Sequence, residues 1–334
     1  MPPTSSVPPD AAPGPRPSWS TPPRPPWSAL PVTLREAIGA RLGSPVVEAR
    51  TAEGGFTTGF AGLLTTAAGD RVFVKAADLV GDRHVAIGYA READLAARLP
   101  PGLPVPRPRW TLQAAGWYAI CLAAVDGRSP RQPWDPAELR ATLDGYASVA
   151  AALAAPPAEP TGLGLPHLAD LAREDILWWA EVAAGREPMP RSPALTRGRL
   201  ADLVALESRL PGYAAEATGL IHGDLRPDNV LLGADGRVWF ADWAWLCHGP
   251  AWFDLVTLLL SAYAAGLDAD TLFATHPAAV GAAPDTLDVT LAALAGYFLT
   301  GADALPPTAP SGLVAHKRRS GEQALGWLTA RQGW

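Results

Sequence analysis

Residues 222–232 read His222-Gly223-Asp224-Leu225-Arg226-Pro227-Asp228-Asn229-Val230-Leu231-Leu232, and Val238-Trp239-Phe240-Ala241-Asp242-Trp243 follows a short turn later. Two apolar runs flank Asp235-Gly236, a dipeptide suited to a tight hairpin. An antiparallel hairpin returns the chain to the end it left. Asn229, at the start of the first strand, and Asp242, just beyond the second, are therefore expected side by side, with Asp224 in the loop before them. Two oxygen donors at a hairpin base suit Mg²⁺, which keeps its other positions for water and phosphate oxygens. Alone, Asp224 and Asp228 would read as turn residues. The register with Asn229 and Asp242 lifts Asp224 out of that reading and leaves Asp228 in it.

His222-Gly223-Asp224, then Asn229, a hydrophobic strand and Asp242, resembles the aminoglycoside phosphotransferase family, which shares the protein-kinase-like fold. That family's catalytic loop reads HxDxxxxN, and its metal-binding Asp follows a short hairpin; both are matched at family spacing. The resemblance implies an α+β, two-lobed chain. Its N-terminal lobe is a mostly antiparallel sheet with one main helix, and its C-terminal lobe is mainly helical with a catalytic hairpin. It implies that Asp224 orients the acceptor hydroxyl or takes its proton, that Asn229 and Asp242 hold Mg²⁺ against the nucleotide phosphates, and that His222 braces the loop. Arg226 stands where protein kinases often carry a lysine to the transferring phosphate; the alternative is a surface arginine paired locally. Asp254 resembles the family's Asp that opens a buried helix and hydrogen-bonds the catalytic loop.

Toward the N-terminus, Thr33 and Glu36 read as a capping box before an apolar helical pattern that Gly43 ends and Pro45 cannot continue. Strands are expected at 46–47, 60–66, 71–75, 109–113 and 117–124, with a helix over 84–99. Lys75 closes the third strand. A lysine there is commonly just solvated, but the family fold uses it to touch the α- and β-phosphates, with Glu92 on the next helix as its ion-pair partner. Asp94, the rival partner, lies on a different helix face. The glycines of Glu53-Gly54-Gly55-Phe56-Thr57-Thr58-Gly59 allow backbone N–H groups to approach phosphate oxygens. Gly54, Gly55 and Gly59 are thus nucleotide candidates, although no Walker motif follows. By family placement Ala123 to Val125 would offer backbone groups to adenine, with Leu122 beside the base.

Twelve prolines fall in the first 31 residues, so residues 1–31 read as a disordered tail, 32–124 as the nucleotide lobe and 125–334 as the catalytic and acceptor lobe. Asp135-Pro136-Ala137-Glu138 is a strong helix start. Further helices are expected over 168–184, over 199–210 and from 253 onward. Trp178, Trp179, Glu174, Asp175 and Glu181 fall on a segment that either faces an amine-bearing acceptor or is an ordinary amphipathic helix.

The 334 residues carry a formal net charge of −6 and two cysteines. No basic stripe suits nucleic acid. The one basic run, His316-Lys317-Arg318-Arg319, reads as a solvated helix end. No secretory signal is expected, and the apolar run 255–267 is about half a membrane span. The expectation is a cytoplasmic protein, monomeric or weakly dimeric, using Mg²⁺ with ATP or GTP on a small-molecule acceptor, without nucleic acid or membrane partners. Only eleven residues separate Asp242 from Asp254, too few for a peptide-docking platform. A catalytically inactive, nucleotide-binding regulator is the alternative; the presence of Lys75, Asp224, Asn229 and Asp242 together favours the kinase.

Overall fold

The computed structural model describes residues 24–52, 55–155 and 164–334. Five antiparallel strands come first: β1 (Val46–Thr51), β2 (Phe60–Thr66), β3 (Arg71–Asp78), β4 (Pro108–Ala114) and β5 (Trp117–Ala123). They are ordered β1-β2-β3-β5-β4. Side chains alternate across a strand. Val72, Val74 and Ala76 thus share one core with Leu34 and Ile38 of helix α1 (Val32–Leu42). Ile120, Leu122 and Ala77 meet Val85, Tyr89 and Ala93 of helix α2 (Arg83–Arg98) on the other face. The sheet therefore lies between two helices and holds Lys75 in a central strand.

The expected capping box does not start α1. The helix begins at Val32 behind Pro31, whose carbonyl accepts from the Arg35 amide, and no side chain caps it. Gly43 ends it in the left-handed region at φ 71°, as read. Residues 1–23 of the expected tail lie outside the described residues, but residues 24–31 are part of the fold. Trp27–Ala29 form a 3₁₀ turn, the Trp27 ring lies 5.7 Å from that of Phe60, and Leu30 is buried in the sheet core. The proline count hid these two large apolar side chains.

The second part is mainly helical. Asp135 caps the helix Pro136–Leu153 by accepting from the amides of Ala137 and Glu138, as its sequence predicts. The helix expected over 168–184 is divided into Leu168–Leu171, a π-turn over Ala172–Ile176 and a new helix at Trp179–Ala183. Buried Glu207 explains the break: its carboxylate accepts from the amides of Trp178 and Ala180 and so caps the new start. Trp179 is fully buried and donates Nε1 to the Ala292 carbonyl at 2.8 Å. The apolar run near 255 becomes the buried helix Trp252–Ala264. It packs against Thr286–Ala304 and Ser311–Gln332. Among the described residues no helix is long and apolar enough to cross a membrane.

Candidate active site

The hairpin forms as read, from Val230–Gly233 and Val238–Phe240, with Val230 opposite Phe240. The Ala241 amide donates to the Asn229 carbonyl at 2.9 Å, which fixes Asp242 beside Asn229. Asn229 donates Nδ2–H to the Asp224 carbonyl at 2.8 Å and approaches Asp224 Oδ2 at 3.4 Å. With both amide hydrogens turned to Asp224, the amide oxygen is the group left for a cation. Asp242 adopts φ 68°, ψ 56°, a region that non-glycine residues rarely enter. Strain of this kind persists where the surroundings over-determine it, and such sites are commonly functional.

The loop before the hairpin is held from below. Gly223 has φ 80°, and a Cβ there would collide with the Trp245 carbonyl oxygen, so glycine is required. Buried Asp254 accepts from the amides of His222 (2.7 Å) and Gly223 (2.9 Å), and the Tyr146 hydroxyl reaches it at 3.4 Å. His222 donates Nε2–H to the Ala241 carbonyl at 2.8 Å and accepts from the Asp224 amide through Nδ1 at 3.3 Å. That pairing requires the neutral ring, and burial pushes the His222 pKa down to about 4. His222 thus ties the Asp224 loop to the Asp242 strand. Between Asp242 and Asp254 the chain is short, and Cys247–His248 pairs with Leu220–Ile221 beneath the loop.

Lys75 reaches across from β3. Its Nζ lies 2.7 Å from Glu92 Oε2 and 3.3 Å from Asp242 Oδ1. Burial works to lower the Lys75 pKa, but the carboxylates of Asp242 and Glu92 more than offset it and hold the ammonium above its ordinary value. Burial pushes Asp242 the other way, and Lys75 and Arg226 override it, keeping that carboxyl below its ordinary value. Glu92 is pushed up by burial against the pull of Lys75. Asp94 pairs instead with Arg98, so Glu92 is the partner. Asp224 is raised to about 7 by burial, with Arg226 opposing and Asp242 and Asp228 adding to it. A third of its side chain still opens onto the cleft. Arg226 Nε lies 3.3 Å from Asp224 and 3.4 Å from Asp228 but is aligned with neither, and it is left as a buried donor without a hydrogen bond.

Of the glycine-rich candidates, Gly54 lies outside the described residues. Gly55 (φ 86°) and Gly59 flank a loop that Arg24 ties down, donating to Thr57 Oγ1 at 2.8 Å and the Gly59 carbonyl at 3.0 Å. Phe56 from this loop stacks on His316 with ring centres 4.6 Å apart, and the Arg226 guanidinium lies 4.8 Å from its centre. Ala123 ends β5, and its amide donates to the Arg107 carbonyl, so an adenine contact from it must use the carbonyl; Val125 follows in the connecting segment.

Sequence reasoning missed Arg24, Tyr146, Phe56 and the cleft face of the basic run. That run is not a solvated helix end. It lies within the helix Ser311–Gln332, where His316 meets Phe56, Phe298 and Arg226, and Lys317 meets Tyr297. Arg318 pairs with Asp303, and Arg319 is exposed. The aromatic residues at 297 and 298, met by a His-Lys pair on the next helix, were the available signal. Of the acidic residues proposed for an acceptor face, Glu181 pairs with Arg186, Glu174 is exposed, and exposed Asp175 lies within electrostatic reach of Tyr297.

An antiparallel sheet carrying a lysine–glutamate pair, above a helical part with an Asp–Asn–Asp hairpin, defines a kinase-like phosphotransferase fold. The sequence profile of the phosphotransferase enzyme family matches residues 61–289, more than half of the chain. The chain belongs to that family and is a phosphotransferase. Among solved structures it is similar to a thermostable mutant of the aminoglycoside phosphotransferase APH(4)-Ia in its apo form. The identity is 16%, over 90% of this chain and 99% of that one, with a TM-score of 0.62. A ternary complex of such a mutant with ADP and hygromycin B gives 16% identity, 89% and 97% coverage and a TM-score of 0.61. The choline kinase LicA from Streptococcus pneumoniae gives 14%, 88% and 98%, and 0.54. At these identities the likeness establishes the fold. No curated protein sequence matches the chain.

Proposed function

We propose that this chain is a kinase that transfers the γ-phosphate of ATP or GTP to a hydroxyl of a small molecule. The observation that carries this reading is the convergence of Lys75, Asp242, Asn229 and Asp224 from separate segments onto one cleft. Lys75, braced by Glu92, would hold the α- and β-phosphates, with Gly54, Gly55 and Gly59 as further candidates for backbone contact to them and Ala123 and Val125 for the base. Asn229 and Asp242 offer an amide oxygen and an ionised carboxylate, hard oxygen donors that fit Mg²⁺. When bound, Mg²⁺ neutralises charge on the phosphate oxygens.

Asp224 orients the acceptor hydroxyl and takes its proton. Its carboxyl, raised toward neutrality by burial, suits a base working near pH 7. The orphaned Nε–H of Arg226 would gain a partner in the transferring phosphate. Residues 32–124 serve as the nucleotide lobe and 125–334 as the catalytic and acceptor lobe, in a cytoplasmic protein that is a monomer or weak dimer. The short tether between Asp242 and Asp254 favours a small acceptor over a peptide.

The test is a transfer assay with labelled ATP and GTP across hydroxylated amines, polyols, hydroxy acids and macrolides. Label appearing in any acceptor, and its loss in Asp224→Ala, is the expected result. Tight nucleotide binding with no transfer to any class would leave a regulator instead.

A further inference from the structure

The chain contains only two lysines, Lys75 and Lys317, and both face this cleft. Lys75 has two carboxylates within 3.3 Å. Lys317 has two aromatic rings: its Nζ lies 4.3 Å from the centre of Tyr297 and 6.0 Å from that of Phe298. Among the described residues no carboxylate pairs with it. Burial lowers the Lys317 pKa, and the charge of Asp224 opposes this, so its ammonium lies within electrostatic reach of the base. Tyr297 also feels both Asp224 and Arg226.

The neighbours do not supply the missing negative charge. His316 is held neutral: burial, Arg226, Arg319 and Lys317 together push its pKa down to about 3, and its Nε2 faces Arg226 Nη1 at 3.5 Å. Asp228 lies against Arg226, and Asp175, near Tyr297, is exposed. Glu207 is capped by backbone amides, and Glu181 is taken by Arg186. A half-buried ammonium over ring faces has given up part of its hydration, and an anion would restore the balance. A polycation would instead meet Lys317 and Arg226 head on.

We propose that the acceptor is an anionic hydroxy compound, carrying a carboxylate or phosphate that binds Lys317 while its hydroxyl faces Asp224. The Tyr297 and Phe298 rings form the wall for its carbon skeleton. This rests on the kinase reading for the hydroxyl but not for the anion site.

Binding to the full chain is therefore measured apart from turnover, by calorimetry with four probe sets: short hydroxy acids, sugar phosphates, neutral polyols and kanamycin-type polyamines. At least one anionic set should bind, and the set that does so tells carboxylate from phosphate. Lys317→Gln should weaken that binding about tenfold or more, the worth of one charge-assisted hydrogen bond. Lys317→Arg should retain most of it, and Mg-nucleotide affinity should not move. Lys317→Met, which keeps the stem over the rings, repeats the test if Lys317→Gln melts early.

Binding of the polyamines in place of the anions, or anion binding indifferent to Lys317, overturns the proposal. So does binding by none of the four sets. A loss of nucleotide affinity in Lys317→Gln also overturns it, because it would assign the lysine to the donor phosphates. Lys317-dependent anion binding without transfer from ATP or GTP would reject the kinase reading and leave the anion site standing.

Discussion

The two lysines face one cleft and are treated in opposite ways. At the proposed nucleotide site, Lys75 is locked between Glu92 and Asp242, so that its charge has counter-charges built into the fold. At the proposed acceptor site, Lys317 rests on Tyr297 and Phe298 with no carboxylate partner among the described residues. A paired charge is a structural member as well as a ligand, so removing it should damage the fold. An unpaired one has no such structural task, so removing it should damage binding of the proposed acceptor alone.

The sharpest break in that comparison concerns turnover. Asp224→Ala should lower kcat by roughly 10²–10⁴, the usual range for losing a positioned base. Unchanged turnover in steady-state kinetics would remove the base assignment. Next comes stability. Lys75→Met leaves Glu92, 2% exposed, without its cation and should cost about 3–5 kcal/mol in denaturant unfolding. Uptake of a proton by Glu92, whose pKa is already pushed up, would soften that cost near neutral pH. Lys317→Gln should cost less than about 1 kcal/mol, as for a charge outside any buried pair. Equal losses in the two variants would erase the distinction.

A further stability test concerns the segment before α1. Leu30→Ala should destabilise by about 2–5 kcal/mol, because Leu30 fills the core of the sheet. A melting temperature equal to wild type would put residues 24–31 back in a dispensable tail. A last effect is in pH. As the proposed base, Asp224 must be ionised to take a proton, and burial raises its pKa to about 7. Acceptor kcat/KM should therefore fall as pH drops through that value, by about tenfold per unit below it. A flat profile from about pH 6 to 8 would show that Asp224 does not titrate there.

The geometry of the hairpin and of Lys75 was legible because its signal is short-range and fixed by covalent spacing. A hairpin of fixed length must bring Asn229 to Asp242, and alternation on β3 must place Lys75 opposite a helix. Three things were not legible, each for a long-range reason. The helix break at Leu177-Trp178 depends on Glu207, far along the chain, accepting its amides. The cleft face of His316-Lys317 depends on how two long helices pack. The start of structure before residue 31 depends on a hydrophobic pocket beside Phe60 that only the folded sheet creates.

The proposed division of one hairpin into a metal pair and a base is checked by titrating Mg-ATP into wild type, Asp224→Ala and Asp242→Ala in a calorimeter. Wild type and Asp224→Ala should bind with similar affinity, and Asp242→Ala should show no Mg-dependent binding. Tight Mg-dependent binding by Asp242→Ala, or its loss in Asp224→Ala, would contradict that division.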